Sequence, residues 1–139
     1  TKWMWGTRSQ NAVLVNGEEQ IADRAKSVGR ITAFETSATV DVAAGEAGAS
    51  YANLDRWSRR IIFLKPGVIV IHDLLEAPEP SAFQWLLHAP GQFAIDGATA
   101  SYTEEGDTLT AHFVLPKDLA LTQKDGYDPP PHEWANFDI

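Results

Sequence analysis

Arg56, Arg59 and Arg60 form the tightest group of cationic side chains in the chain. A guanidinium presents a planar fork that matches a carboxylate or sulfate, so this cluster could face an acidic glycan. The same arginines could equally pair with nearby acids such as Asp55 and Glu46. Trp57 sits among them, and Trp134 follows Pro129-Pro130-Pro131. Both stand beside expected loops, where an indole is free to stack on a sugar ring. Tyr51 and Trp85 have the same chemistry, but Trp85 alternates with Phe83 and Leu87 and reads as core. Arg56 and Trp57 are therefore taken as candidate substrate-binding residues.

Other chemistries find less support. There are no cysteines, which excludes disulfides, thiolate zinc sites and a cysteine nucleophile. Ser9 and Ser58 have no spaced His and Asp partners, and Gly45-x-x-Gly48 lacks the lysine and following helix of a phosphate loop. Glu18-Glu19 and Glu104-Glu105 flank glycine turns and read as solvated hairpin tips. Glycoside hydrolysis instead needs two carboxyls held roughly 5–10 Å apart across a cleft. No His-x-His or His-Glu-x-x-His spacing marks a zinc site. His112 alternates with Ala111 and Phe113 and is expected to face solvent, and His132 is expected in a loop.

The elements that must position these residues are strands. β-Branched runs and period-2 alternation predict strands over 12–15, 30–36, 39–43, 59–64, 68–74, 83–88, 92–95, 100–103, 108–115 and 119–122. Turn dipeptides punctuate them: Asn16-Gly17, Pro66-Gly67, Pro90-Gly91, Asp96-Gly97, Glu105-Gly106 and Asp125-Gly126. Lys2–Trp5 also reads as strand, and Val42–Tyr51 as a helical turn or loop because its glycines oppose a long helix. The spacing suits an all-β, antiparallel β-sandwich of roughly ten strands. Ile61–Leu64 and Val68–Ile71 are apolar at every position, which predicts central strands covered on both faces.

The 139 residues are the size of one domain, and 44% hydrophobic content is too high for a disordered chain. A net charge of -8 lacks the basic stripe that nucleic acid requires and disfavours anionic membranes, so neither is expected as a partner. No run approaches the ~18 apolar residues of a membrane helix. The chain opens on Thr1 without a signal peptide and reads as a piece of a longer protein.

A set of motifs carries a family resemblance. In order they are Ser9-Gln10-Asn11-Ala12-Val13-Leu14-Val15-Asn16-Gly17 and Gln20, Gly45-Glu46-Ala47 with Tyr51, Arg59-Arg60-Ile61-Ile62-Phe63-Leu64-Lys65-Pro66, Val70-Ile71-His72-Asp73, and Trp85-Leu86-Leu87-His88. Together they resemble the β-sandwich domain of heparinase II/III-like polysaccharide lyases, well over 9–88 and loosely over 107–134. The resemblance implies that residues 1–139 form a single sandwich domain, cut from a longer chain with an N-terminal (α/α) toroid. It implies a periplasmic or secreted bacterial protein that cleaves uronic-acid-containing glycans by β-elimination. The base would lie mostly on the toroid, so no catalytic residue is expected here and the piece alone would be inactive. Its toroid-facing surface would be apolar and prone to self-association.

The resemblance also assigns residues. Gln10 and Asn11 would face the toroid and bind substrate, although Asn11 could simply fix a loop. The family commonly has His where Gln10 stands, and Gln cannot titrate near pH 7. Either another group takes that role or the parent has diverged in activity. Some members bind a divalent metal, usually zinc, which would make His88 the first candidate ligand, Asp41 a weaker one and His72 weaker still. The competing reading is a non-catalytic carbohydrate-binding or structural sandwich module, supported by Gln10, Trp57 and Trp134.

Overall fold

The structure is a computed structural model that describes residues 6–23 and 25–126. Lys2–Trp5, the triple proline, His132 and Trp134 lie outside the described residues. The chain is all-β and antiparallel, with strands β1 (Val13–Val15), β2 (Arg30–Thr36), β3 (Val40–Glu46), β4 (Arg56–Leu64), β5 (Val68–Glu76), β6 (Phe83–Trp85), β7 (Ala94–Asp96), β8 (Thr99–Glu104) and β9 (Asp107–His112). The sheets are β1-β6, β2-β3-β4-β5 and β7-β8-β9. The stretch 119–122, expected as a tenth strand, is not one. Among the described residues, no helix is long and apolar enough to cross a membrane.

Two compact units divide the chain, Trp5–Leu86 and the stretch from Leu87 onward. In the second, β8 and β9 form a hairpin closed by Glu105-Gly106, both at positive φ. Such a pair matches the right-handed twist of the strands and explains the hairpin tip expected there. Thr103 and Thr108 hydrogen-bond across this hairpin at 2.8 Å, and exposed His112 contacts Thr99 at 3.1 Å.

In the first unit, β1 is buried at all three positions, and Val13 and Val15 are fully enclosed. It pairs with β6 through Leu14 and Gln84 on one edge. Among the described residues its other edge has no strand, so the carbonyls pointing that way need other donors. The Tyr51 hydroxyl donates to the Val13 carbonyl at 2.6 Å. The Glu18 amide (2.9 Å) and Asn53 Nδ2 (3.3 Å) donate to that of Val15. Glu18 is in place because Asn16 and Gly17 both take positive φ and turn the chain back. Asn16 then ties the turn to Ala82: its side chain accepts from the Ala82 amide and its own amide donates to the Ala82 carbonyl, each at 2.8 Å.

The four-stranded sheet departs from expectation at both ends of β4–β5. β4 begins at Arg56 rather than Arg59, so Trp57 is a strand residue. β5 lies at the sheet edge, not at its centre. Many of the sheet's apolar side chains are uncovered: Ile31 is 76% exposed, Phe34 71% and Ile69 62%. The buried cluster gathers where Ala12, Val13 and Val15 meet Tyr51 and Trp57.

Two outcomes follow. Tyr51→Phe leaves a buried carbonyl with no donor and costs about 1–3 kcal/mol in denaturant unfolding. Burial, the largest influence, pushes the Tyr51 phenol up to about 12, against the pull of its Val13 hydrogen bond and of Arg59. The folded protein therefore holds this proton more tightly than the unfolded chain, and stability falls as pH rises between the two values. That alkaline loss, between pH about 10 and about 12 in a stability–pH profile, is absent from Tyr51→Phe. Second, the uncovered apolar sheet makes this polypeptide self-associate with rising concentration in sedimentation velocity, and Phe34→Lys weakens the association; a concentration-independent monomer would contradict this.

Candidate functional site

The register of the β4–β5 hairpin builds the site. The loop Lys65-Pro66-Gly67 sets Leu64 opposite Val68, and counting back puts Arg59 opposite Asp73. A one-residue slip would send Asp73 to the other face and dissolve the pair. In register, Arg59 Nε and Nη2 each donate to one Asp73 oxygen at 2.7 Å. This is the bidentate geometry that makes Arg–carboxylate pairs strong. The side chains are mostly shielded, with 20% of Arg59 and 11% of Asp73 exposed.

Aromatic rings frame the pair. The guanidinium carbon lies 5.1 Å from the Trp57 ring centre and 5.9 Å from that of Trp85. Both distances suit cation–π attraction. Trp85 Nε1 donates to Asp73 Oδ2 at 3.0 Å, so that oxygen accepts from two residues. The third arm of the guanidinium, Nη1, donates to the backbone carbonyl of Asn11 at 2.7 Å.

Gln10 and Asn11 are exposed and form the turn that leads into β1. The Ala12 amide donates to the Gln10 carbonyl at 2.8 Å, and Gln10 Nε2 donates to Ser9 Oγ at 3.0 Å. On their N-terminal side, Glu19 holds the short 3₁₀ turn Thr7–Ser9. Its carboxylate accepts from the Thr7 amide at 2.7 Å and from Arg8 Nε at 3.1 Å. Glu19, expected as a solvated tip, is instead an anchor. Nothing in its local sequence marks that role, because its partners arrive from the preceding turn.

Arg56 and Arg30 also pair across strands. Arg56 meets Glu76 at 3.6 Å with both side chains about half exposed. Arg30 donates to Glu46 Oε2 at 3.1 and 2.7 Å and holds that carboxyl below its usual range. Gly45 allows this approach, since a Cβ there would stand 3.1 Å from the Arg30 carbonyl oxygen. A groove of about 310 Å³ lies between Arg30, Gly45, Glu46, Trp57 and Arg59. Salt bridges thus form as anticipated, but Arg56 and Arg59 take Glu76 and Asp73 rather than Asp55 and Glu46, and Glu46 pairs with Arg30.

Trp57 requires a correction. Expected beside a loop and free to stack on sugar, it is 7% exposed and packs edge-to-face on Tyr51, centroids 5.5 Å apart. It alternates with Arg59, Ile61 and Phe63 along β4, so it turns to the same face as they do. Extending the alternation back from Arg59 would have revealed this. Its Nε1 is buried without an acceptor among the described residues.

Of the metal candidates, Asp41 has its carboxylate engaged within the sheet. Asp41 lies opposite Phe63 in the sheet, and its Oδ1 accepts from Lys65 Nζ at 2.8 Å and Thr36 Oγ1 at 2.6 Å. The hydrogen bond from Lys65, then that from Thr36, holds its carboxyl below the usual range. A carboxylate already neutralised in this way is a poor metal ligand. His88 follows β6 in the other unit, and His72 is exposed opposite Arg60. Among the described residues no three His, Cys, Asp or Glu side chains gather at one point.

Within this antiparallel all-β fold, the Arg59–Asp73 pair thus braces the exposed turn at Gln10 and Asn11. Residues 1–129 match the model of the heparinase II/III-like, C-terminal family, and the chain belongs to that family. No curated protein matches it.

The burial of Trp57 sets an expected order of stabilities. Trp57→Ala opens a cavity and costs about 3–5 kcal/mol. Trp57→Phe keeps a ring and removes the unpaired N–H, which limits its cost to under about 1.5 kcal/mol. Equal losses in urea unfolding would place the indole outside the core.

Proposed function

We propose that this chain is the sandwich part of a polysaccharide lyase acting on uronic-acid-containing glycans, and that it is catalytically silent by itself. The observation that carries the reading is the family match over 1–129. In β-elimination a base removes the proton at C5, the C4–O bond breaks, a C4=C5 double bond forms and an acid protonates the leaving oxygen. The carboxylate beside C5 must be neutralised meanwhile. Tyr51 is the wrong base here: its phenol is buried, tied to Val13 and pushed up to about 12. Gln10 cannot exchange protons at neutral pH. The acid and base then come from a toroid in the full-length protein, and this domain supplies a wall of the cleft.

On that wall Gln10 and Asn11 offer exposed polar groups on a braced turn, and half-exposed Arg56 offers a fork to a uronate. The uncovered apolar sheet supports a further domain packed against it. A polymeric glycan as substrate supports a periplasmic or extracellular location. Gln10 in the family's His position favours one second reading, a carbohydrate-binding module without catalysis.

Incubation of the full-length protein with uronate glycans separates the two. A rise in ultraviolet absorbance from the unsaturated product, lowered in Gln10→Ala and Asn11→Ala, supports the lyase. Binding without that rise supports the module, and neither binding nor product leaves a structural role.

A further inference from the structure

Each nitrogen of the Arg59 guanidinium donates a hydrogen bond that holds structure, and one of these contacts leaves the sheet. Two nitrogens grip Asp73, and the third reaches across 48 positions of sequence to the Asn11 carbonyl. Asp73 is itself steadied by Trp85 Nε1, and Trp57 and Trp85 flank the cation. The turn receives the opposite support from Glu19, which holds Thr7 and Arg8 just upstream. Gln10 and Asn11 are thus exposed side chains on a backbone gripped at both ends.

We propose that Arg59 is a positioning residue for glycan binding: it fixes the Gln10–Asn11 turn so that both side chains meet the sugar without first being ordered. This rests on the reading of Gln10 and Asn11 as cleft residues. A turn ordered only on binding would spend part of the interaction free energy on that ordering. Asn11 is exposed, so its carbonyl could hydrogen-bond water if Arg59 were absent. The Arg59 contact therefore adds little as a buried bond. What it adds is orientation. Lysine cannot replace it, because a single ammonium cannot span both Asp73 oxygens and the Asn11 carbonyl in this planar arrangement.

The test is a double-mutant cycle in the full-length protein, with affinity for a uronate oligosaccharide read by calorimetry. Arg59→Met weakens binding by about ten-fold in the native background but less than about two-fold when Gln10→Ala and Asn11→Ala are present. Equal losses in both backgrounds mean that Arg59 acts through general stability and overturn the proposal. Arg59→Lys, which retains the charge opposite Asp73, gives the same pattern and serves if Arg59→Met does not fold. Amide hydrogen exchange without ligand provides the independent arm. Ala12, whose N–H donates to Gln10, exchanges faster in the Arg59 variants while Leu14, paired with Gln84, does not change. Unaltered exchange at Ala12 overturns the proposal whatever the glycan result. Faster exchange in a protein that binds no uronate oligosaccharide keeps Arg59 as the brace of the turn and removes the lyase reading instead.

Discussion

A buried strand needs partners on both edges, and among the described residues β1 has a strand on only one. Most of the first unit answers that constraint. Tyr51 donates to Val13, Asn53 and Glu18 donate to Val15, and the donors come from different stretches of chain. Tyr51 can do so because Gly48 lets the preceding turn lie against β4; a Cβ there would come within 2.9 Å of the Arg56 Cα. The same turn places the Tyr51 ring edge-to-face on Trp57. One unpaired carbonyl row thus explains a tyrosine, a glycine, an Asn-Gly turn and the aromatic wall behind Arg59.

The strands of the first unit are legible because their signals are local. The hairpin from Arg59 to Leu75 announces itself through two apolar runs and a Lys-Pro-Gly loop, and the pairing of Leu64 with Val68 follows from the loop length. Asn16-Gly17 and Glu105-Gly106 turn the chain where their backbone freedom predicts. Boundaries are less legible. Trp57 reads as a loop residue when the strand is started at Arg59, after the polar Arg56 and Ser58. Those polar residues occupy the face opposite Trp57, so their presence says nothing against a strand. Alternation misleads in the other direction near the end of the second unit. The short run Leu119–Thr122 alternates like a strand but has no partner strand among the described residues.

The site is legible as a set of residues and not as a set of contacts. Arg56, Arg59 and Arg60 look alike in sequence. Register alone sorts them, giving Arg59 to Asp73 inside the aromatic frame and Arg56 to exposed Glu76 at the rim. Asp41 enters as a metal candidate only through the family resemblance. Lys65 in the following hairpin loop claims it instead, a pairing that depends on strand β3 lying beside β4. Glu19 carries no signal at all, since its role is defined by an upstream turn folding back on it.

Holding a turn by its backbone has a consequence for how the position before Asn11 can vary. Arg59 grips a carbonyl, which every residue type possesses, and a guanidinium keeps its charge across the physiological range. Neither the grip nor the Glu19 anchor depends on which side chain stands at position 10. A titrating imidazole and a neutral amide could be exchanged there on an unchanged frame, so that proton chemistry and shape evolve separately. The frame constrains the path of the backbone and leaves the chemistry at position 10 open.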